Sequence, residues 1–111
     1  MSSKKVYNKL VRDKIPLAIE LSGAKPQYRR LSTEDYKKAL KTKLLEEVNE
    51  LLETTTKDEM IEELADIMEV IWWVRTSEDI SEYDVAKRQH GKYVQKGGFF
   101  DRIFLESVEE K

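Results

Sequence analysis

An all-α fold is what this sequence predicts, and three observations carry the expectation. Three Ser/Thr-x-x-Asp/Glu starts recur, at Ser32 with Asp35, Thr56 with Glu59 and Ser81 with Asp84. Each has the form of a capping box, in which the first side chain and the acid three residues on satisfy a helix's free amides. Long stretches with apolar residues at three- and four-residue spacing follow the first two starts. Third, two ten-residue segments, LLEEVNELLE from Leu44 and MIEELADIME from Met60, repeat the same acidic and apolar pattern sixteen positions apart.

The elements follow in order. Lys9–Pro16 (KLVRDKIP) leads into a first helix, with Pro16 suited to an early helical position and Gly23 acting as a stop. Ala24–Leu31 contains Pro26 and alternates poorly, which predicts an extended connector or short strand. A second helix runs from Ser32 to about Glu53, a third from Thr56 to about Arg75, and a fourth from Ser81 to the Gly97-Gly98 pair. The aromatic tail Phe99–Glu106 is β-prone and is expected to pair with Tyr28–Leu31 as a short two-stranded β flap near the C-terminus. The architecture expected is an antiparallel helical hairpin with two further helices, a four-helix-type bundle in one domain of residues 1–111.

Composition narrows the function. Charged residues make up 38% of the 111, yet the formal net charge is −2 with both signs interleaved, which argues against stable nucleic-acid binding. There is no cysteine, so disulfides, thiolate chemistry and zinc–thiolate sites are excluded. A single histidine makes a Ser/His/Asp triad or a histidine-rich metal site improbable. The N-terminus lacks an apolar leader core and no run approaches a membrane span, so a cytoplasmic protein without membrane attachment is expected.

The chemistry concentrates in the repeat. Only three threonines and a few charged residues separate helices 2 and 3, so they fold back antiparallel. That register sets Glu47 level with Asp66 and Glu50 level with Glu63, about two turns from the loop at ~1.5 Å rise per residue. Four carboxylates at one height repel one another unless a cation lies between them. An all-oxygen set suits Mg²⁺, or Mn²⁺, over zinc. Against this stands a plainer reading, two solvated acidic faces in a chain with 22 acids. Val70 and Trp73 within the acidic stripe of helix 3 weigh against a purely solvated face.

The pattern EExxE (Glu46, Glu47, Glu50), twelve residues, then ExxD (Glu63, Asp66) resembles the signature of the MazG-like all-α nucleoside triphosphate pyrophosphatases. The flanks YNKLVRDKIP (Tyr7–Pro16) and KGGFFDRIFLE (Lys96–Glu106) resemble its house-cleaning, phosphoribosyl-ATP-pyrophosphohydrolase-like branch. The resemblance implies Glu47, Glu50, Glu63 and Asp66 as Mg²⁺ ligands, and Mg²⁺-dependent hydrolysis of a nucleotide's α–β phosphoanhydride. Many such chains carry an asparagine two turns beyond the ExxD aspartate, where this one has Trp73.

Glu46 and Glu47 are the catalytic candidates, as proton acceptors from water. Arg12, Lys43, Trp73, Lys92 and Lys96 are the substrate-binding candidates: four cations for phosphates and one ring for a base. Each has a plainer alternative, in salt bridges, solvated faces or packing. Trp72, Met60 and Met68 are expected in the core. Phosphoribosyl-ATP hydrolysis is the alternative within the class, and a non-catalytic helical dimerisation or adaptor module the alternative outside it. The apolar residues left over on the hairpin (Ile71, Trp72, Val74 and the helix 2 leucines) predict a homodimer.

Overall fold

The structure, a computed structural model, describes residues 3–111. It is all-α, with helices α1 (Ile15–Leu21), α2 (Thr33–Leu52), α3 (Lys57–Ser77) and α4 (Glu82–Lys96). The chain divides into two compact units, Met1–Asp79 and Ile80–Lys111.

In the first unit, α2 and α3 form an antiparallel hairpin whose register is pinned at both ends. At the open end Lys37 Nζ lies 3.5 Å from Glu78 Oε2. At the closed end the threonines hold the turn. Thr54 Oγ1 donates to the Leu51 carbonyl at 2.7 Å, extending the C-terminus of α2. Thr56 Oγ1 accepts from the Glu59 amide at 3.1 Å, while Glu59 Oε1 accepts from the amide and hydroxyl of both Thr55 and Thr56. These donors hold the Glu59 carboxyl below its ordinary pKa, the Thr56 hydroxyl foremost. Ser32 caps α2 by accepting from the Asp35 amide at 3.2 Å.

α1 is short, has Pro16 in its first turn, and ends at Gly23, whose φ of 95° is open only to glycine without strain. Ahead of it, residues 3–14 form an irregular segment that reaches the hairpin through ion pairs described below.

In the second unit, Ser81 caps α4 by accepting from the Asp84 amide at 3.0 Å, and α4 stops at Gly97, with φ of 83°. The flap expected from the sequence is not formed: no described residue is in a strand, and neither Tyr28–Leu31 nor Phe99–Glu106 is an exception. The reason is visible within the tail. Phe99 to Arg102 form a turn, with the Arg102 amide donating to the Phe99 carbonyl at 3.2 Å, and Arg102 has φ of 58°. A left-handed residue there breaks the pleat that a strand requires.

Burial separates the faces of the hairpin. The side chains at its centre are Leu40, Val70 and, unexpectedly for an acid, Glu47. Trp72, Met60 and Met68, which the sequence places in the core, are instead exposed. Helix phase explains this, since each lies off the α3 face that meets α2, where Val70 and half-buried Glu63 and Val74 sit. No described helix is long and apolar enough to cross a membrane.

Candidate functional site

Glu47 is the centre of the site. It is only 5% exposed, and a carboxylate so buried requires compensation by hydrogen bonds or cations. One oxygen has it: Lys43 Nζ, one turn earlier, lies 3.3 Å from Glu47 Oε1 and 3.4 Å from Glu46 Oε1. The other oxygen, Oε2, is buried without a hydrogen-bond partner, and so is Oε2 of Glu63.

Around Glu47 the carboxylates gather in two overlapping sets. Glu46, Glu47 and Glu50 on α2 form one, and Glu47, Glu63 and Asp66 across both helices form the other; in each, one oxygen per residue lies within 4.8 Å of the others. The hairpin thus brings together all four residues that the register set level, with Glu46 beside them.

Electrostatics record the crowding. The pKa of Glu63 is pushed up to about 7, chiefly because a proton on it would hydrogen-bond to the Glu47 carboxyl, then by burial and by the charge of Glu50. Glu50 is raised too, first by burial and then by the charge of Glu47. In both, the crowding of like charges favours the protonated form.

Cations from the irregular N-terminal segment complete the surroundings. Arg12 Nη2 donates to Asp66 Oδ1 at 2.7 Å, and Lys9 Nζ lies 3.6 Å from Glu46 Oε1. Arg12 and Lys43 therefore join the acidic cluster. Trp73 is committed differently: its indole N–H donates to Glu69 Oε2 at 2.7 Å, one turn back on α3. Trp72 stacks under the Arg75 guanidinium, 4.4 Å from the ring centre. Lys92 and Lys96 are exposed on α4, one turn apart, in the Ile80–Lys111 unit.

Sequence reasoning left Lys9 out of the candidate site. It missed Tyr7, Asn8 and Thr42, which with Lys9, Leu10, Ala39, Lys43 and Glu46 line a cleft of about 500 Å³ along α2. Nothing in the spacing of residues 7–10 signals where an irregular segment comes to rest.

Chemically, two all-oxygen sets sharing a buried glutamate suit a small, hard divalent cation. The fit rests on the two buried oxygens of Glu47 and Glu63 that lack a protein donor, since such oxygens are stable when a cation or proton meets them.

Comparison with known proteins adds little beyond the geometry. No family model matches the chain, and no solved structure matches it. A protein of Mycolicibacterium smegmatis, described as uncharacterized, is 49% identical over 53 residues. The match covers 48% of this chain and 54% of that protein, so the two share about half their lengths.

Proposed function

We propose that this protein is a Mg²⁺-dependent nucleotide pyrophosphohydrolase of the MazG-like kind, splitting a non-standard or surplus nucleoside triphosphate into nucleoside monophosphate and pyrophosphate. The observation that carries the reading is Glu47, buried with one unpartnered oxygen and shared between two sets of converging carboxylates. A solvated acidic face has no need of this arrangement, and a structural core would avoid it.

Glu47, Glu50, Glu63 and Asp66 would hold Mg²⁺, with Mn²⁺ as a substitute. When bound, the ion offsets phosphate charge and makes a water nucleophilic near neutrality. The chain's own groups do the rest. Glu46 or Glu47 takes the proton of the attacking water, whose oxygen joins phosphorus as the α–β anhydride bond breaks and pyrophosphate leaves. Arg12 orients Asp66 through its 2.7 Å ion pair and, with Lys43, stands where phosphate oxygens would arrive beside the acids. Trp73 is less suited to a base, because its N–H is already held by Glu69.

The homodimer belongs to this reading as well. On α2, Leu45 and Leu52, and on α3, Ile61, Leu64, Met68 and Ile71, are exposed. At about 100° per residue they fall on the opposite side of the hairpin from Glu46, Glu50 and Asp66. A second copy covering that face would give the four-helix layer a core that one hairpin lacks, and standard interfaces bury about 800 Å² per partner. The lack of cysteine fits a reducing cytoplasm, where nucleotide pools also reside.

The test is pyrophosphate release from a nucleotide panel that includes phosphoribosyl-ATP, with and without Mg²⁺. Turnover of at least one nucleotide, requiring Mg²⁺ and lost in Glu50→Gln and Asp66→Asn, is expected. Turnover that survives both changes would remove these acids from the mechanism, and none with any nucleotide would leave the adaptor reading.

A further inference from the structure

We propose that the cleft between residues 7–10 and α2 is the nucleoside pocket, taking base and sugar while the phosphates lead past Lys9 and Lys43 to the carboxylates. This rests on the nucleotide reading above and extends it to a site of its own. At about 500 Å³ the cleft falls in the range of small-molecule pockets.

Its lining is graded as a nucleotide is graded. Glu46 belongs to the cleft and to the carboxylate set, so the cleft opens directly onto the proposed reaction centre. From Glu46 the α2 wall runs back through Lys43 and Thr42 to Ala39, about 10 Å at ~1.5 Å per residue. That distance separates a reacting phosphate from the sugar and base that identify it. Lys9 joins the facing wall to this end, with its Nζ 3.6 Å from Glu46 Oε1 and 5.7 Å from the Tyr7 ring centre. Two ammonium groups thus stand at the neck, where an anionic linker would pass.

Beyond the neck the groups are those that recognise nucleosides. The Tyr7 ring is exposed, with Lys5 Nζ 5.1 Å and Lys9 Nζ 5.7 Å from its centre, so a base stacking on it would take the place of one of these ammonium groups. The Asn8 carboxamide carries a donor and an acceptor side by side, the pattern that reads a base edge. Thr42 donates its hydroxyl hydrogen to the Lys38 carbonyl at 3.2 Å, leaving oxygen lone pairs for a sugar hydroxyl.

Asn8 also occupies the left-handed region, with φ of 44°. Asparagine tolerates that conformation better than most side chains, but glycine tolerates it best. A residue kept only for the bend would be replaceable by glycine without loss, and this supplies a clean test.

The experiment uses the full chain with Mg²⁺ and the α,β-methylene analogues of four nucleoside triphosphates, titrated calorimetrically, beside steady-state turnover of whichever nucleotide is hydrolysed. Asn8→Gly keeps the backbone and removes the amide, Tyr7→Ala removes the ring, and Thr42→Trp fills the cleft. Expected are rises in Kd and KM of about tenfold for the first two with kcat within about threefold, and loss of analogue binding for the third. Circular dichroism checks that each variant is folded. If Asn8→Gly and Tyr7→Ala bind every analogue as the parent does while Glu50→Gln abolishes turnover, the pocket is elsewhere and the hydrolase reading stands. If no nucleotide is turned over but analogues bind and Thr42→Trp loses them, the cleft stands and hydrolysis falls. An unmodified protein that binds none of the analogues overturns the cleft.

Discussion

The two sides of the α2–α3 hairpin are made from the same helices and the same turn, yet they pose opposite problems. One side gathers four carboxylates around the buried Glu47. The other leaves Leu45, Leu52, Leu64 and Met68 exposed. A hairpin selected for its own stability would have rotated each helix to bury the leucines and free the acids. It instead keeps Glu47 at its centre with Leu40 and Val70, which costs desolvation and leaves apolar surface uncovered. Each side therefore leaves something unmet: on the first, Oε2 of Glu47 and Oε2 of Glu63 have no hydrogen-bond partner even with Lys9, Arg12 and Lys43 paired nearby, and on the second, apolar side chains face outward.

The sharpest way to break the comparison is to remove the charge that the first side invites. Glu50→Gln or Asp66→Asn is expected to lower Mg²⁺-dependent turnover on the order of 10²–10³-fold, because each removes a ligand oxygen carrying charge. Glu47→Leu sharpens it further. With EDTA present this variant should melt higher than the parent, since replacing a crowded buried charge by an apolar group is often neutral or stabilising. A lower melting temperature would mean that the Lys43–Glu47 pair is there for the fold, and that the first side is structural.

The second side is tested by charge of its own. Met68, 71% exposed near the middle of the apolar face, should tolerate glutamate in a monomer and disrupt an apolar interface. Met68→Glu is expected to shift a dimer to monomer by light scattering, with the helical content unchanged. A parent that is monomeric at high concentration ends this half of the comparison.

Acidity distinguishes two glutamates one turn apart on α3. Glu63 has its pKa raised to about 7, so the fold binds its proton more tightly than the unfolded chain does. Its contribution is fully present below the ordinary value of 4.5 and is lost as pH rises to about 7. Glu59, with its pKa lowered by the threonine donors, works the other way: its contribution is present above 4.5 and is lost as pH falls. With EDTA, the melting temperature should therefore fall between about pH 4.5 and 7, and added Mg²⁺ should remove that fall. A metal-free profile that rises steadily across the interval would contradict the crowding of Glu47, Glu50 and Glu63.

How much of this was legible in the sequence follows the range of the forces involved. The caps at Ser32, Thr56 and Ser81 are local, settled within four residues, and the sequence shows each of them. The convergence of Glu47, Glu50, Glu63 and Asp66 is longer in range, but a short turn between two regular helices leaves one register, so it too was readable. The exposure of Trp72 and Met68 was not, because periodicity tells which face is apolar and not what lies against it. The path of residues 7–12 was beyond reach, since ion pairs to Glu46 and Asp66, more than thirty positions away, determine it. The β flap failed because Phe99–Glu106 has strand-like composition, while the left-handed Arg102 belongs to a turn.

The smallest effect concerns the turn that both sides share. Thr56 caps α3 and donates to Glu59, and its hydroxyl is the first cause of that carboxyl's low pKa. Thr56→Ala should cost about 1 kcal/mol by chemical denaturation, the usual loss for a helix N-cap. The cost should fall equally on the parent and on Met68→Glu, because the cap touches neither face. Thr56→Ser, which keeps the oxygen, should restore most of the loss. Mg²⁺ affinity should change little, since the acids lie about two turns from the loop, beyond the range over which one cap steers a helix. A large drop in Mg²⁺ affinity in Thr56→Ala would show instead that the register of the hairpin depends on its turn, and that the acidic side is assembled by the loop rather than by the packing of Leu40 and Val70.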